Sequence, residues 1–375
     1  MIYTNCTIVT PTQVIKQGWI SIKDGLIEAL GQGAANGVDM QGAICLPGFI
    51  DQHIHGGFGV DFMHADSAQL AHFSKAVLAH GVTTYLATTL TETDAAIRQA
   101  LTRLSNYSAN QTADVAQCAG FHLEGPFVHP EFPGAQAKEH IIAPDKVLLK
   151  EYQALAQGSI RLLTYAPEWG HSLFTSYAVS LGMVPSIGHS SATLEEVDQA
   201  ILEGAKQLTH FHNASSPYHH RHPGVINAGL YRNLQLELIV DGFHSDPLVV
   251  DGVIRLKSAR NIHCITDAIS AMGQPDGAYQ LGPYNVTKQA GTVRLSDNTL
   301  AGSVLSFQQL ILNLKEYTNP SLQDLMYMTS SNQAELLGLT DRGLIEVGRR
   351  ADLVFIDEDY HVVTTIVAGT VGYQR

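Results

Sequence analysis

Apolar and polar positions follow two different periods along the chain. Near the start, "CTIVT", "GWISIKDGLIEAL" and "GAICLPG" read as short strands, with "KDG" as a hairpin turn. The final stretch, "GLIEVGRRADLVFIDEDYHVVTTIVAGTVGYQR", has the same character. The two ends are therefore expected to pair into one small β domain, residues 1–47 with 345–375. Between them the period switches back and forth. "GFIDQHIH" precedes the helical pattern "SAQLAHFSKAVLAHG", whose Leu70, Phe73 and Val77 are apolar and whose run ends at Gly81. "VTTYLAT" then pairs with "DAAIRQALTRL", "QCAGFHLE" with "DKVLLKEYQAL", "IRLLTYAP" with "SLFTSYAVSLG", and "VPSIGH" with "TLEEVDQAILEG". In the last of these helices Thr193 and Glu196 make a capping box. "QLTHF", "LQLELIVDG" and "NIHCITD" bring the strand candidates to eight.

Eight strand–helix units within residues 48–344 predict an α/β fold, a TIM-type (β/α)8 barrel, with the small β domain built from both termini beside it. A doubly wound open sheet is the competing arrangement. The polar residues favour the barrel, because catalytic groups of barrels project from the C-terminal ends of strands. Here the first strand ends on His53 and His55, the third on Glu124, the fifth on His189 and the sixth on His210. The seventh runs into His244 and the eighth ends on Asp267.

A lone histidine at a strand end is ordinarily a hydrogen-bonded histidine, Glu124 could cap a turn, and Asp267 could be an N-cap. Their shared placement points instead to a metal site. His53 and His55 are two apart, so on a strand they face the same side. Imidazoles and carboxylates converging on one point suit a divalent ion such as Zn²⁺ or Fe²⁺. His64, His72, His80, His129, His140, His171 and His263 lack this placement and read as surface or packing residues.

The chain of 375 residues carries a formal net charge of -13, which argues against non-specific binding to nucleic acid or anionic membrane. An anionic substrate would then need a local basic patch. The loop "HNASSPYHHRHPG" offers one, with His219, His220, Arg221 and His222 together, although it also reads as a plain solvated loop. Cys6, Cys45, Cys118 and Cys264 form no CxxC pair, and most sit in apolar runs as expected of buried reduced thiols. The N-terminus lacks a signal-peptide pattern and no apolar run reaches the ~18 residues of a span, so a cytoplasmic location is expected.

The stretches "LPGFIDQHIHGGFGVD", "GFHLEGPFVHPEFPGAQ", "SIGHSSATLEE", "LTHFHNASSPYHHRHPGV", "IVDGFHSDP", "ITDAISAMGQPDGAYQLG", "TLAGSVLSF" and "GLIEVGRRADLVFID" carry a resemblance. The chain resembles the amidohydrolase superfamily, and within it the N-acetylglucosamine-6-phosphate deacetylases. That resemblance implies hydrolysis of the acetamide of N-acetyl-D-glucosamine 6-phosphate to D-glucosamine 6-phosphate and acetate, in amino-sugar catabolism. The galactosamine epimer is the alternative substrate, and a cyclic amide a more distant one. Relatives acting on cyclic amides usually carry a bridging lysine where this chain has Glu124.

The resemblance further implies Glu124, His189 and His210 as ligands of a principal metal ion, zinc first, with iron, manganese or cobalt as other choices. His53 and His55 make a second ion possible. Asp267 is implied as the catalytic acid/base. Substrate contacts are implied at Ala135, Gln136, Asn213, Ala214, Arg221, His244, Leu300, Ala301 and Gly302. The arginine matching Arg221 reaches the substrate phosphate of the neighbouring subunit in the family, so a homodimer is implied. Gln136 replaces a histidine that some members place near the scissile carbonyl, and His212 departs from the family pattern without an assigned role.

Overall fold

The structure is a computed structural model and describes residues 1–170 and 173–375; His171 lies outside the described residues. Eight parallel strands pair in chain order: β1 (Phe49–Ile54), β2 (Val82–Thr88), β3 (Gln117–Glu124), β4 (Ile160–Tyr165), β5 (Val184–Ile187), β6 (Gln207–Leu208), β7 (Gln235–Ile239) and β8 (Ile262–Ile265). Strands enclosed on both faces read as nearly continuous apolar runs, and every residue of β2 is buried. The ring closes between β1 and β8 through irregular bonds. The Asp267 N–H donates to the His53 carbonyl at 2.9 Å, and the His55 N–H to the Ala268 carbonyl at 2.8 Å.

The helices between the strands start where capping chemistry allows. Thr193 accepts from the Glu196 N–H while the Glu196 carboxylate accepts from the Thr193 N–H, so the expected capping box is present. Gly81 takes a left-handed φ of 80° and ends the first helical stretch as the pattern predicted. Ile50, Leu86 and Leu162 pack with Ala334, Leu337 and Leu339 in a separate apolar cluster at the barrel end where strands begin.

The two chain ends share one sheet, ordered Thr370–Gln374, Val362–Val367, Leu353–Ile356, Ile44–Pro47, Ile2–Val9, Val14–Lys23, Leu26–Gln32, with Val38–Asp39 added to Ile2–Val9. Asp24 and Gly25 both have positive φ, 50° and 78°, which gives the expected tight hairpin turn. This sheet has its own core around Ile8, Ile20, Cys45, Leu353 and Phe355. The chain passes from sheet to barrel at Gly48, where a Cβ would lie 2.2 Å from Thr83 Oγ1. All four cysteines are buried and free.

The sequence pattern did not announce a three-stranded antiparallel sheet after β8, made of Gly277–Leu281, Tyr284–Gln289 and Thr292–Arg294. Most of its positions are exposed or half-buried, so no apolar period marks it. Among the described residues, no helix is long and apolar enough to cross a membrane.

Candidate active site

The residues at the strand ends do meet. Glu124 is the last residue of β3, while His189, His210 and Asp267 each stand two residues beyond β5, β6 and β8. These last three share a backbone oddity: φ is 49° at His189, 31° at His210 and 50° at Asp267. Left-handed backbone is uncommon for residues with a Cβ, costs about 1–3 kcal/mol each, and gathers at functional sites. Backbone bonds hold Asp267 in place, since the Ser303 N–H donates to its carbonyl at 2.8 Å. In β1 a register shift between Asp51 and Ile54 re-aims the strand's side chains, and both His53 and Gln52 reach the interior.

Glu124 sits at the centre. Its Oε1 lies 3.3 Å from His189 Nε2, 3.1 Å from His210 Nε2 and 3.4 Å from His53 Nε2. Its Oε2 lies 3.2 Å from His55 Nε2 and accepts from Gln136 Nε2 at 2.8 Å. Asp267 Oδ1 is 3.2 Å from His55 Nε2 and 3.4 Å from His53 Nε2. The Nε2 atoms of His189 and His210 are only 3.0 Å apart.

The donor set fits a divalent cation. Two ligands each ~2.0–2.2 Å from a tetrahedral ion stand roughly 3.3–3.6 Å apart, close to the spacings here. Among the described residues, His53 Nε2 is buried without a hydrogen-bond partner, an expensive arrangement unless something accepts its lone pair. Glu124 with His189 and His210 forms one possible cation cluster, and His53 with His55 and Glu124 a second. A third grouping, His53 with His122 and Glu237, lies alongside.

Charge is concentrated here. Burial opposes ionisation of Glu124, yet the imidazoles of His53, His189 and His210 hold its pKa well below the usual carboxylate range. Burial likewise works against a charged His55, but hydrogen bonds to Asp267 and Glu124 raise it to about 9. Asp267 feels the same burial and is brought down to about 2 by His53 and His55. His122 is pushed by burial, and by the neighbouring His53, to about 3 and so stays neutral.

Above these groups opens a cavity of ≈ 330 Å³. Ala135, Gln136, Asn213, Ala214, His244, Leu300 and Gly302 all line it. Ala301 is buried behind Leu300 and Gly302 and does not line it, and Arg221 stands exposed on its loop outside it. His212 packs on Phe211, ring centroids 4.1 Å apart, and burial lowers its pKa. The other histidines set aside lie elsewhere: His64 faces Glu92, His80 stacks on Phe58, His129 meets Trp169, and His263 is buried between Gln52 and Gln235. His72 is exposed and His140 half-buried, both away from the cavity.

Three supporting residues escaped the sequence reading. Asp241 Oδ2 holds His244 Nδ1 at 2.7 Å. The Thr91 N–H donates to Gln136 Oε1 at 2.7 Å and so aims the Gln136 amide at Glu124. Glu237 accepts from His53 Nδ1 at 2.9 Å. The one available signal for Glu237 was a charged residue inside the apolar run of β7.

Fold and site together define a (β/α)8 barrel with a candidate divalent-cation centre at its C-terminal mouth. The amidohydrolase family matches residues 44–372, and the chain belongs to that family. It is 38% identical over 384 aligned residues to N-acetylglucosamine-6-phosphate deacetylase of Bacillus subtilis (strain 168), covering 100% of this chain and 97% of the relative. It is 32% identical to N-acetylgalactosamine-6-phosphate deacetylase of Escherichia coli O157:H7, with 94% and 96% covered. Among solved structures, the Thermotoga maritima N-acetylglucosamine-6-phosphate deacetylase superposes with a TM-score of 0.92 at 36% identity, covering 100% of both chains. An alanine mutant of the Mycobacterium smegmatis deacetylase, in complex with N-acetyl-D-glucosamine-6-phosphate, gives 0.93 at 30% identity, with 100% and 99% covered.

Proposed function

We propose that the protein is a cation-dependent hydrolase that removes the N-acetyl group of N-acetyl-D-glucosamine 6-phosphate, releasing D-glucosamine 6-phosphate and acetate. The observation that carries this is the convergence of Glu124, His189, His210 and Asp267 under one cavity. Full-length identity to curated deacetylases supplies the substrate class. Glu124, His189 and His210 would hold the principal ion, and His53 and His55 with Glu124 would hold a second. Zinc suits these donors, which iron, manganese and cobalt also accept. Bound there, such an ion would supply Lewis acidity for a carbonyl oxygen and for water.

The chain's own groups do the rest. Asp267 is ionised at neutral pH and accepts the proton of the water that attacks the acetamide carbonyl carbon. It returns that proton to the nitrogen as the C–N bond breaks, so the sugar leaves as a neutral amine and not as an amide anion. Gln136, fixed by Thr91, offers an amide donor beside Glu124. His244, held by Asp241, and Asn213 orient the sugar phosphate, while Ala135, Ala214 and the segment Leu300 to Gly302 shape the walls.

Arg221 is exposed and lies outside its own cavity. We assign it to the substrate phosphate of a neighbouring subunit in a homodimer. Tyr218 within that loop and Tyr231 after it are exposed, at 50% and 60%. Residues 1–47 and 345–375 are taken as the β domain, 48–344 as the catalytic domain, in a cytoplasmic enzyme of amino-sugar breakdown.

The experiment is acetate release from both 6-phosphorylated N-acetyl sugars, with elemental analysis of the same sample. Cation-dependent turnover of the glucosamine form is expected. A faster galactosamine rate would move the assignment to the epimer, and no turnover of either would remove it.

A further inference from the structure

Barrel interiors are ordinarily filled by branched apolar side chains. Beneath this site the interior is polar, and Glu237 of β7 is its hub, with no exposed surface. Its Oε1 accepts from Gln52 Nε2 at 2.8 Å and Gln207 Nε2 at 2.7 Å. Its Oε2 accepts from His53 Nδ1 at 2.9 Å and from the His210 backbone N–H at 3.2 Å. An ionised carboxylate has about four acceptor sites, so Glu237 is saturated and rigidly held.

This has a consequence for His53. An acceptor-only carboxylate at Nδ1 requires that Nδ1 carry the proton, and the Nε2 lone pair is then left bare in a neutral ring. Nε2 is the atom that lies buried and unpartnered, 3.4 Å from both Glu124 Oε1 and Asp267 Oδ1. His55 has no such anchor among the described residues, where its Nδ1 is buried without a hydrogen-bond partner. Of the pair, only His53 has its tautomer and ring plane set from behind.

We propose that Glu237 is a positioning residue: by holding Nδ1–H of His53 it turns the Nε2 lone pair toward the second cation and sets the affinity for that ion. The proposal rests on the reading that His53, His55 and Glu124 hold a second cation. A third cation between His53, His122 and Glu237 is disfavoured, because it would strip Glu237 of donors that already fill it.

The experiment uses the full-length protein equilibrated at a series of chelator-buffered free Zn²⁺ concentrations, with ions per chain read by elemental analysis. The wild type is expected to take up two ions. In Glu237→Gln the second ion's dissociation constant is expected to rise about 10–100-fold, the usual cost of losing a partner behind a ligating histidine. The first ion, on Glu124, His189 and His210, is the internal comparator and should stay. Glu237→Asp keeps the charge, should rescue part of the loss, and carries the comparison if Glu237→Gln does not fold. An unchanged second ion in the variants overturns the proposal while leaving the two-cation reading intact. A single ion in the wild type overturns both. Three ions in the wild type, with one lost in Glu237→Gln, would make Glu237 a ligand and overturn its positioning role.

Discussion

Gln136 illustrates how one side chain ties structure to chemistry. Its Oε1 takes the Thr91 N–H and its Nε2 gives to Glu124, both bonds buried. Gln136→Leu should therefore leave a buried backbone N–H unpaired and cost about 1–3 kcal/mol, seen as a lower midpoint in denaturant unfolding. Turnover should fall with it, because Glu124 loses its orienting donor. Asp267→Asn acts differently. The tight ion should remain, while acetate release falls ~10²–10⁴-fold for want of proton transfer; near-normal turnover would remove Asp267 from the mechanism. His55 gives a prediction in pH. Its folded pKa of about 9 stands above the ordinary 6.5. In the cation-free protein its contribution to stability is therefore complete below 6.5 and is lost as pH rises through about 9. A cation must displace that proton, so loading should release protons at pH 7 to 8 and tighten up to about 9. Calorimetry in buffers of different ionisation enthalpy counts the protons; none released would mean that His55 takes no part.

The elements were legible where one period dominated. Strands enclosed on both sides wrote themselves as apolar runs, and the helix beginning after Thr193 declared its own start. The polar side chains at strand ends were legible because six such positions recurred at one place in the unit, and the ring brings most of them to one centre. The sheet at Gly277–Leu281, Tyr284–Gln289 and Thr292–Arg294 was illegible because it buries too little to leave a pattern. Glu237 and Gln52 were hidden for the opposite reason: they lie within runs that look like core, and their partners are as many as 211 positions away. Close packing between strands was equally invisible. At Gly188 a Cβ would fall 2.7 Å from Thr209 Cβ and 3.0 Å from Thr164 Cγ2. Gly188→Ala should thus force β5 from β6 at the base of His189 and His210, costing about 1–3 kcal/mol. Thermal unfolding should show the loss, and equilibrium dialysis should show weaker retention of the principal ion. An unchanged midpoint would mean that the strands yield without strain.

At the scale of the whole molecule, the pairing of the chain ends was foreseeable from their shared strand character. Every group proposed for the chemistry belongs to one barrel, whereas Arg221 is exposed and does not line that barrel's own cavity. In a two-fold dimer each subunit would lend that arginine to the other, and a planar guanidinium is well matched to a phosphate. Hybrid dimers separate this arrangement from its alternatives. Arg221→Ala alone should raise KM, and Asp267→Asn alone should abolish turnover. Co-expressed in equal amounts, they should form hybrids in which the subunit carrying Arg221→Ala keeps its own Asp267 and borrows Arg221 from its partner. Random pairing would make about a quarter of all sites fully competent. The mixture should then show a component with the wild-type KM that neither parent has. If the mixture shows only the diluted activity of Arg221→Ala, the arginine serves its own subunit or none, and the phosphate must be held by groups inside the barrel mouth.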